Sequence, residues 1–96
     1  MSGLAASRFV VACKELTLNG ASRNQFERAH LSVVLNLAEG RGKMTTKDQK
    51  RFYYNALGSL RECQAVLEIE DCTDSKAGKL GDSLGGHLWK LIKNMR

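Results

Sequence analysis

Proline is absent from the 96-residue sequence, and aromatic residues make up only 6% of it. Leucine, alanine, lysine and glutamate are common instead, and because these residues favour helices we expect an all-helical chain. No apolar run approaches the ~20 residues that a membrane-spanning helix needs. The apolar segment near the start of the sequence follows no basic region, which is not typical of a signal peptide. We therefore expect no membrane association.

The sequence also has few residues of the kinds that form disulfides or bind metals. Its three cysteines, Cys13, Cys63 and Cys72, form no CxxC pair, and one of them stays unpaired in any disulfide scheme. We expect reduced thiols in a cytoplasmic protein. His30 and His87 have no potential metal ligand three or four residues later, so we predict no metal site and no cofactor.

The length suits one domain, which we assign to residues 1–96, and a hydrophobic content of 43% is sufficient for a modest core. A core of this size is only marginally stable alone, so burial between subunits would help. The net charge of +5 is unevenly distributed along the chain. Segment 41–51 contains five cations and one acid, whereas segment 68–74 contains four acids and no cation. The chain therefore has a basic region and an acidic region.

Apolar side chains recur at helical spacing in four segments, and no strand alternation competes with them. The first segment is expected to end near Asn19-Gly20, and all the connections are short. Four helices with short connections predict an antiparallel up-down four-helix bundle. The repeating positions are Phe9, Val10, Cys13 and Leu16 or Leu18; Phe26, His30, Val33, Val34 and Leu37; Phe52, Ala56, Leu60, Cys63 and Leu67; and Leu80, Leu84, Leu88, Leu91 and Met95.

Two of these helices have recognisable start signals, and one has a candidate end. Ser22 and Gln25 form a capping-box pattern that predicts the start of the second helix. Gly40 is a candidate for its end, because glycine accepts the left-handed conformation that ends many helices. Thr45, with Asp48 three residues later, predicts the start of the third helix.

Glycine is unusually frequent in the last of the four segments. Gly78, Gly81, Gly85 and Gly86 each cost about 1 kcal/mol relative to alanine in a helix interior. Either the first half of this helix is irregular, or the glycines allow a neighbouring element to approach closely. In the third helix we expect Gly58 to allow a close helix contact.

Two segments resemble a known protein family. SVVLNLAEG (residues 32–40), a basic turn, and KRFYYNALGSLRECQAVLE (residues 50–68) are similar to the bacterial 23S rRNA intervening-sequence proteins, also called four-helix bundle proteins. The resemblance covers residues 26–68 and extends more weakly into the leucine-rich last helix. Val34 stands where the family often has proline, so the second helix is expected to be straighter here.

The resemblance implies a small cytosolic helical bundle that assembles as a ring-like homopentamer. Many members are encoded inside insertions in 23S rRNA genes. The family is similar to the accessory variability proteins of diversity-generating retroelements, which are basic pentamers that engage nucleic acid and a reverse transcriptase. The resemblance implies no catalytic activity, and for most members of the family the biochemical function is undefined.

Asn36 and Glu39 are the first candidates for a site, because they lie one turn apart on the same side of the second helix. If the second and third helices are antiparallel about a turn near residue 43, Glu62 lies on the order of 20 Å along the axis from Glu39. Carboxylates that far apart within one subunit cannot share a metal or a reacting bond. A general base or metal ligand at Glu39 is therefore poorly supported.

A structural role explains these polar residues better. The same register brings Glu39 within reach of the cations at the start of the third helix, Lys47, Lys50 or Arg51. It also brings Glu62 toward Arg23, and Ser59 toward Glu27 and Arg28. Paired polar groups between helices fix their register even where they add little stability. The residues of this structural polar motif are Asn36, Glu39, Gly40, Gly58, Ser59 and Glu62.

The turn GRGKMTTK (residues 40–47) is the best candidate for a functional surface. It leads into a helix N-terminus, where unpaired backbone N–H groups and the helix dipole favour an anion. It does not match a nucleotide-binding P-loop, because Leu37 stands where that pattern needs glycine. A solvated turn is the alternative within one monomer. The candidate nucleic-acid-binding residues are Arg41, Lys43, Lys47, Lys50 and Arg51.

Oligomerisation would strengthen this candidate, because five copies with the turn on one face would gather roughly 25 cations there. Tyr53 and Tyr54 could stack on bases, although helical spacing places one of them inside the protein. We expect any binding to be weakly sequence-specific and strongly salt-dependent, because no helix is identified that would read base edges.

The C-terminal segment HLWKLIKNMR is basic and amphipathic, which is also typical of segments that bind membrane surfaces. We favour packing in the core and between subunits, because the segment is short and follows glycines. Trp89 lies off the leucine stripe and is a candidate interface residue.

Three hypotheses follow from the sequence. The first is a non-enzymatic, oligomeric protein that binds RNA or another nucleic acid through the segment 41–51. The second is a scaffold protein that acts through a protein partner, with charge that serves solubility. The third, a hydrolase using Glu39, is poorly supported.

Overall fold

The computed structural model describes residues 3–96, which form four α-helices and no strand. The helices are α1 (Gly3–Glu15), α2 (Gly20–Arg41), α3 (Thr46–Ile69) and α4 (Lys76–Asn94). The expected all-helical chain with four helices is confirmed for these residues. Residues 1 and 2 of the predicted 1–96 domain lie outside the described part.

The predicted start of α3 is confirmed, and α4 begins in the same way. Thr45 has an extended backbone, and its Oγ1 accepts a hydrogen bond of 3.2 Å from the N–H of Asp48. Ser75 Oγ accepts a bond of 3.1 Å from the N–H of Gly78. Each hydroxyl pairs one of the four N–H groups that a helix start leaves without a partner.

The α1–α2 connection differs from the sequence-based expectation. α1 ends at Glu15, and α2 begins at Gly20, so Ser22 lies inside the helix and is not its cap. Gly20 has φ 59°, a left-handed conformation that glycine adopts at little cost. This conformation lets the chain enter the helix directly after Asn19. The Asn19-Gly20 pair therefore marks the start of α2 and not the end of α1.

Each helix packs against two others around one core. α2 and α3 make the most extensive contact, α1 packs on α2 and α4, and α3 also packs on α4. Ser32 lies against Ser59, and Gly40 against Tyr53, so α2 and α3 are antiparallel. The largest fully buried side chains are Phe9, Val33, Leu60, Cys63, Leu67, Leu84, Leu88 and Ile92.

Gly40 has a different role from the predicted helix end. α2 continues to Arg41, and Gly42 is its C-terminal cap, with φ −83°. A Cβ added at Gly40 would lie 2.5 Å from Cε1 of the buried Tyr53. Glycine is needed at this position because the ring of Tyr53 packs directly on the backbone of α2.

The expected irregularity of α4 is wrong, and close approach explains Gly78, Gly81 and Gly85 but not Gly86, whose added Cβ would have nothing within 4 Å. α4 is continuous, and Gly78, Gly81 and Gly85 are buried in it. A Cβ at Gly81 would lie 3.1 Å from Phe9, and one at Gly85 would lie 3.4 Å from Leu60. The expectation for Gly58 is wrong within this chain, because nothing lies within 4 Å of its added Cβ.

The first testable prediction concerns Gly40. We expect Gly40→Ala to lower the free energy of unfolding by about 1–3 kcal/mol, because the buried ring of Tyr53 must move to admit the methyl group. Gly42→Ala is the matched control, since its Cβ would be 3.6 Å from the nearest atom. Urea denaturation of both variants measures the difference. Equal losses at the two positions would contradict the close packing at Gly40.

The second prediction concerns the buried thiols of Cys13 and Cys63. Burial raises the pKa of each from 9.0 to about 12, with smaller contributions from Cys63 at Cys13 and from Glu62 at Cys63. The unfolded chain therefore loses these thiol protons first. The stabilisation is complete below pH 9 and is lost as the pH rises from 9 toward 12.

Urea denaturation at pH 8 and pH 10 tests this pH dependence. We expect the wild-type midpoint to fall more between the two pH values than that of Cys13→Ala/Cys63→Ala, which keeps the other titrating groups. An identical pH response of the two proteins would show that the thiols do not contribute.

Candidate nucleic-acid interface

The turn between α2 and α3 lies at one end of the molecule. Gly42 caps α2, Thr45 caps α3, and between them the side chain of Met44 is 98% exposed. The five candidate cations are on the last residue of α2, in the turn and on the first two turns of α3. The structure therefore places all five at this end.

Lys43 and Arg51 converge on a single aromatic ring. The Nζ of Lys43 lies 5.0 Å from the centroid of Phe52, and the Cζ of Arg51 lies 4.7 Å from it. The negative face of an aromatic ring attracts cations at these distances. Phe52 thus holds one cation from the turn and one from α3 close together, a contact that helical spacing alone does not indicate.

Most of the positive charge at this end is not neutralised. Within residues 3–96 the two ion pairs are Lys43–Glu39, at 3.6 Å, and Arg23–Glu27, at 3.1 Å. Arg41 and Lys47 are exposed, and the guanidinium of Arg41 lies beside Gly3 at the start of α1.

Further cations reach the same end from α4. Gln64 Nε2 donates a hydrogen bond of 3.0 Å to Asp82, and Gly85 packs on Leu60, so α3 and α4 are antiparallel. Extending this pairing places Lys93 level with Phe52. The antiparallel pairing of α3 and α4 brings these cations to the basic turn, although they are distant from it in the sequence. The cations of this C-terminal segment are Lys90, Lys93 and Arg96.

The acidic segment lies at the other end of α3. Residues 68–74 contain the last two residues of α3 and most of the connection to α4. The 24 residues of α3 span about 36 Å, close to the 40 Å length of the molecule. The molecule therefore has a basic end and an acidic end. The positive potential at the basic end attracts polyanions, and the negative potential at the acidic end repels them.

Asn36 and Glu39 do not act as a pair. Asn36 Nδ2 donates to the carbonyl oxygen of Ser32, at 2.9 Å, and to its hydroxyl, at 3.1 Å. Ser32 Oγ and Ser59 Oγ are 2.7 Å apart. Asn36 is thus part of a polar contact between α2 and α3, whereas Glu39 is exposed and pairs with Lys43.

The predicted register of α2 and α3 is wrong by four to seven residues. Ser59 contacts Ser32 and not Glu27 or Arg28, and Glu39 pairs with Lys43 and not with the cations of α3. The reason is that Gly40 packs on Tyr53, which centres the pairing near residue 46 instead of residue 43.

Glu62 remains far from Glu39 in the corrected register. It lines a groove between α2 and α3 with Arg28 and Ser59, roughly 14 Å along the axis from Glu39. Arg28, and not the predicted Arg23, is the cation in this groove. The two carboxylates are therefore not placed to act together.

The two tyrosines differ as expected. Tyr53 is buried, and Tyr54 is 51% exposed, which confirms that one of them packs inside.

Within residues 3–96, no helix has both the length and the apolar composition to cross a membrane. The same residues bring no three His, Cys, Asp or Glu side chains together in a possible metal site.

A family model described as "23S rRNA-intervening sequence protein" matches residues 6–85, which is more than half of the chain. The matched range includes α2, the basic turn and α3, and it ends inside α4. No curated protein and no solved structure matches the chain.

The third prediction concerns the ring of Phe52. In Phe52→Leu we expect the NMR signals of the Lys43 and Arg51 side chains to lose their aromatic ring-current shifts. The free energy of unfolding should fall by about 1 kcal/mol, because two cation–π contacts are lost while an apolar side chain remains. Tyr54→Leu removes an exposed aromatic residue of the same helix and should leave these signals unchanged. Unaltered signals in Phe52→Leu would contradict the contact.

Proposed function

This chain belongs to the 23S rRNA-intervening sequence protein family, and from that premise we propose that it binds RNA or another nucleic acid without enzymatic activity. It acts as an oligomer, and its basic end is the binding surface. Sequence specificity is low, and the affinity depends strongly on salt. We also propose that the protein is similar to the accessory proteins of diversity-generating retroelements and that it is located in the cytoplasm.

The observation that carries the proposal is the concentration of unneutralised cations at one end of the molecule. The α2–α3 turn contributes five, of which Lys43 alone forms an ion pair among the described residues. Lys93 and its neighbours on α4 add to them. Cations that contact phosphates release the counterions of the nucleic acid, which supplies affinity independent of sequence.

The shape of this end supports contact with phosphates over contact with base edges. It consists of a turn and helix termini, and no helix lies along its surface with a row of polar side chains. The N–H groups of the first turn of α3 point toward the same end and favour anions. Phosphate contacts of this kind position a nucleic acid but carry no sequence information.

Assembly would multiply the effect of a single basic end. We propose that the four helices form an up-down bundle and that five bundles form a ring, with the basic ends on one face. Such a ring presents roughly 25 cations from segment 41–51, so that several weak phosphate contacts act together on one polyanion.

We propose no catalytic role for Glu39. Its carboxylate is exposed and paired with Lys43, and Glu62 lies too far along the bundle to act with it. The polar residues between α2 and α3 serve instead to hold these helices in register.

The second candidate function is a scaffold that acts through a protein partner and binds no nucleic acid. The observation that favours it is the number of large apolar side chains that remain exposed on the helices. Leu31 and Leu35 are each 55% exposed, and Trp89 is 50% exposed. Exposed apolar surface of this kind is typical of protein contacts.

The fourth prediction tests nucleic-acid binding at the basic end. We expect Arg41→Glu/Lys47→Glu to weaken binding of a fluorescent structured RNA fragment at low salt by roughly tenfold or more, and to reduce the salt dependence of the affinity. Fluorescence anisotropy over a salt series measures both. Arg8→Glu/Lys76→Glu is the control, because it changes the net charge equally at the groove between α1 and α4.

The two double variants together show whether binding depends on the position of the cations or only on the net charge of the protein. A loss only in Arg41→Glu/Lys47→Glu supports the basic end as the surface. Equal losses would mean that net charge alone governs binding, and unchanged affinity in both would contradict the proposal.

A further inference from the structure

Two exposed aromatic residues lie on the face formed by α3 and α4. Tyr54 is 51% exposed and Trp89 is 50% exposed. The pairing of Leu60 with Gly85 places them at nearly the same height on the adjoining helices. Trp89 follows Asp82 by two helical turns, and Asp82 contacts α3 through Gln64, so Trp89 lies beside the groove between these helices.

Two exposed glycines accompany these aromatic residues. Nothing lies within 4 Å of a Cβ added at Gly58 or at Gly86. Gly58 lies one turn after Tyr54, and Gly86 lies about one turn before Trp89. A glycine inside an exposed helix costs about 1 kcal/mol relative to alanine and has no packing role within this chain. The close approach of a second molecule would give both glycines such a role.

The face formed by α1 and α2 has exposed leucines and a cavity in place of exposed aromatic residues and glycines. Leu31 and Leu35, one turn apart on α2, are each 55% exposed. Beside Leu31, a cavity of about 510 Å³ lies between the end of α1 and the first half of α2 and is open to solvent. Apolar side chains, including Leu16 and Phe26, form much of its wall.

His30 gives this cavity an unusual polar feature. The side chain lines the cavity and is 6% exposed, and its ring lies edge-on to Phe26, with the centroids 5.5 Å apart. Its Nδ1 is buried and has no hydrogen-bond partner. Burial lowers the pKa of His30, which favours the neutral ring. The α1–α2 face thus combines exposed leucines with an incompletely filled space.

These two faces lie on opposite sides of the protein. Among the described residues α1 packs on α2 and α4, and α3 packs on α2 and α4, so the helices follow one another around the core. The α1–α2 face is therefore opposite the α3–α4 face. Two different apolar surfaces on opposite sides allow a head-to-tail contact between copies, which closes into a ring when the rotation between copies permits it.

We propose that the α3–α4 face of one copy docks on the α1–α2 face of the next. Tyr54 and Trp89 pack against Leu31 and Leu35 of the neighbour, and the neighbour covers the mouth of the His30 cavity. The helices approach closely at Gly58 and Gly86. The inference rests on the oligomer proposed above and assigns the surfaces that form it.

The dimensions of the protein fit this contact. The molecule measures about 40 by 20 by 20 Å. A stable interface buries ~800 Å² per partner, so one long face offers area of the required order. Aromatic residues at the centre of such an area are the residue type that contributes most to binding.

Light scattering after gel filtration gives the first test. We expect the wild-type protein to be an oligomer and Trp89→Asp and Leu31→Asp to have lower masses, because each buries a charge in the contact. Met44→Asp is the matched control, since Met44 is exposed at the turn and outside both faces. Circular dichroism of each variant verifies that the helices are intact.

Mixing the two variants gives the sharper test. Trp89→Asp retains an intact α1–α2 face, and Leu31→Asp retains an intact α3–α4 face. Together they can form one good contact, so the mixture should yield a heterodimer of twice the 10.6 kDa chain mass. The ring cannot close, because the remaining faces of that dimer both carry the added charge. A contact of one face with itself would give no such heterodimer.

Trp89 provides an independent readout because it is the single tryptophan of the sequence. We expect its emission to shift to shorter wavelength as the wild-type protein is concentrated, and the shift to be absent in Leu31→Asp. A wild-type monomer would overturn the proposed assembly and this contact together. An oligomer that persists in both variants, or a mixture without heterodimer, would overturn the contact alone.

Discussion

The close approach of α2 and α3 determines where the basic turn and the other two helices lie. Gly40 leaves room for the ring of Tyr53, and the Ser32–Ser59 contact, supported by Asn36, fixes the same register two turns away. Because both contacts lie between the same two helices, they determine where the turn falls. The basic segment is thereby placed at one end of the molecule and not along its side.

That register also orders the charges along the molecule. α3 carries the chain from the basic end to the acidic end, and the antiparallel α4 returns its C-terminal cations to the start of α3. Phe52 then brings Lys43 and Arg51 together at that end. Charge that is spread through the sequence becomes a compact basic surface because of helix pairing.

The sequence predicts the helices well and their mutual packing less well. Apolar spacing identifies four helices, and the hydroxyl of Thr45 identifies the start of α3, because both signals are local. The role of Gly40 depends on a ring from another helix, and the start of α2 at Gly20 depends on a left-handed backbone angle. The contacts predicted for Glu39 and Ser59 depended on the register, so an error of one to two turns in the register made both predictions wrong.

The oligomer that we propose presents its basic ends to a polyanion. The most direct test of this proposal is the mass of the wild-type protein in solution, measured by light scattering with and without a structured ribosomal RNA fragment at low and high salt. We expect an oligomer that forms a heavier complex with RNA at low salt and loses the RNA at high salt. A monomer, or an oligomer whose mass is unchanged by RNA at either salt concentration, would contradict the proposal.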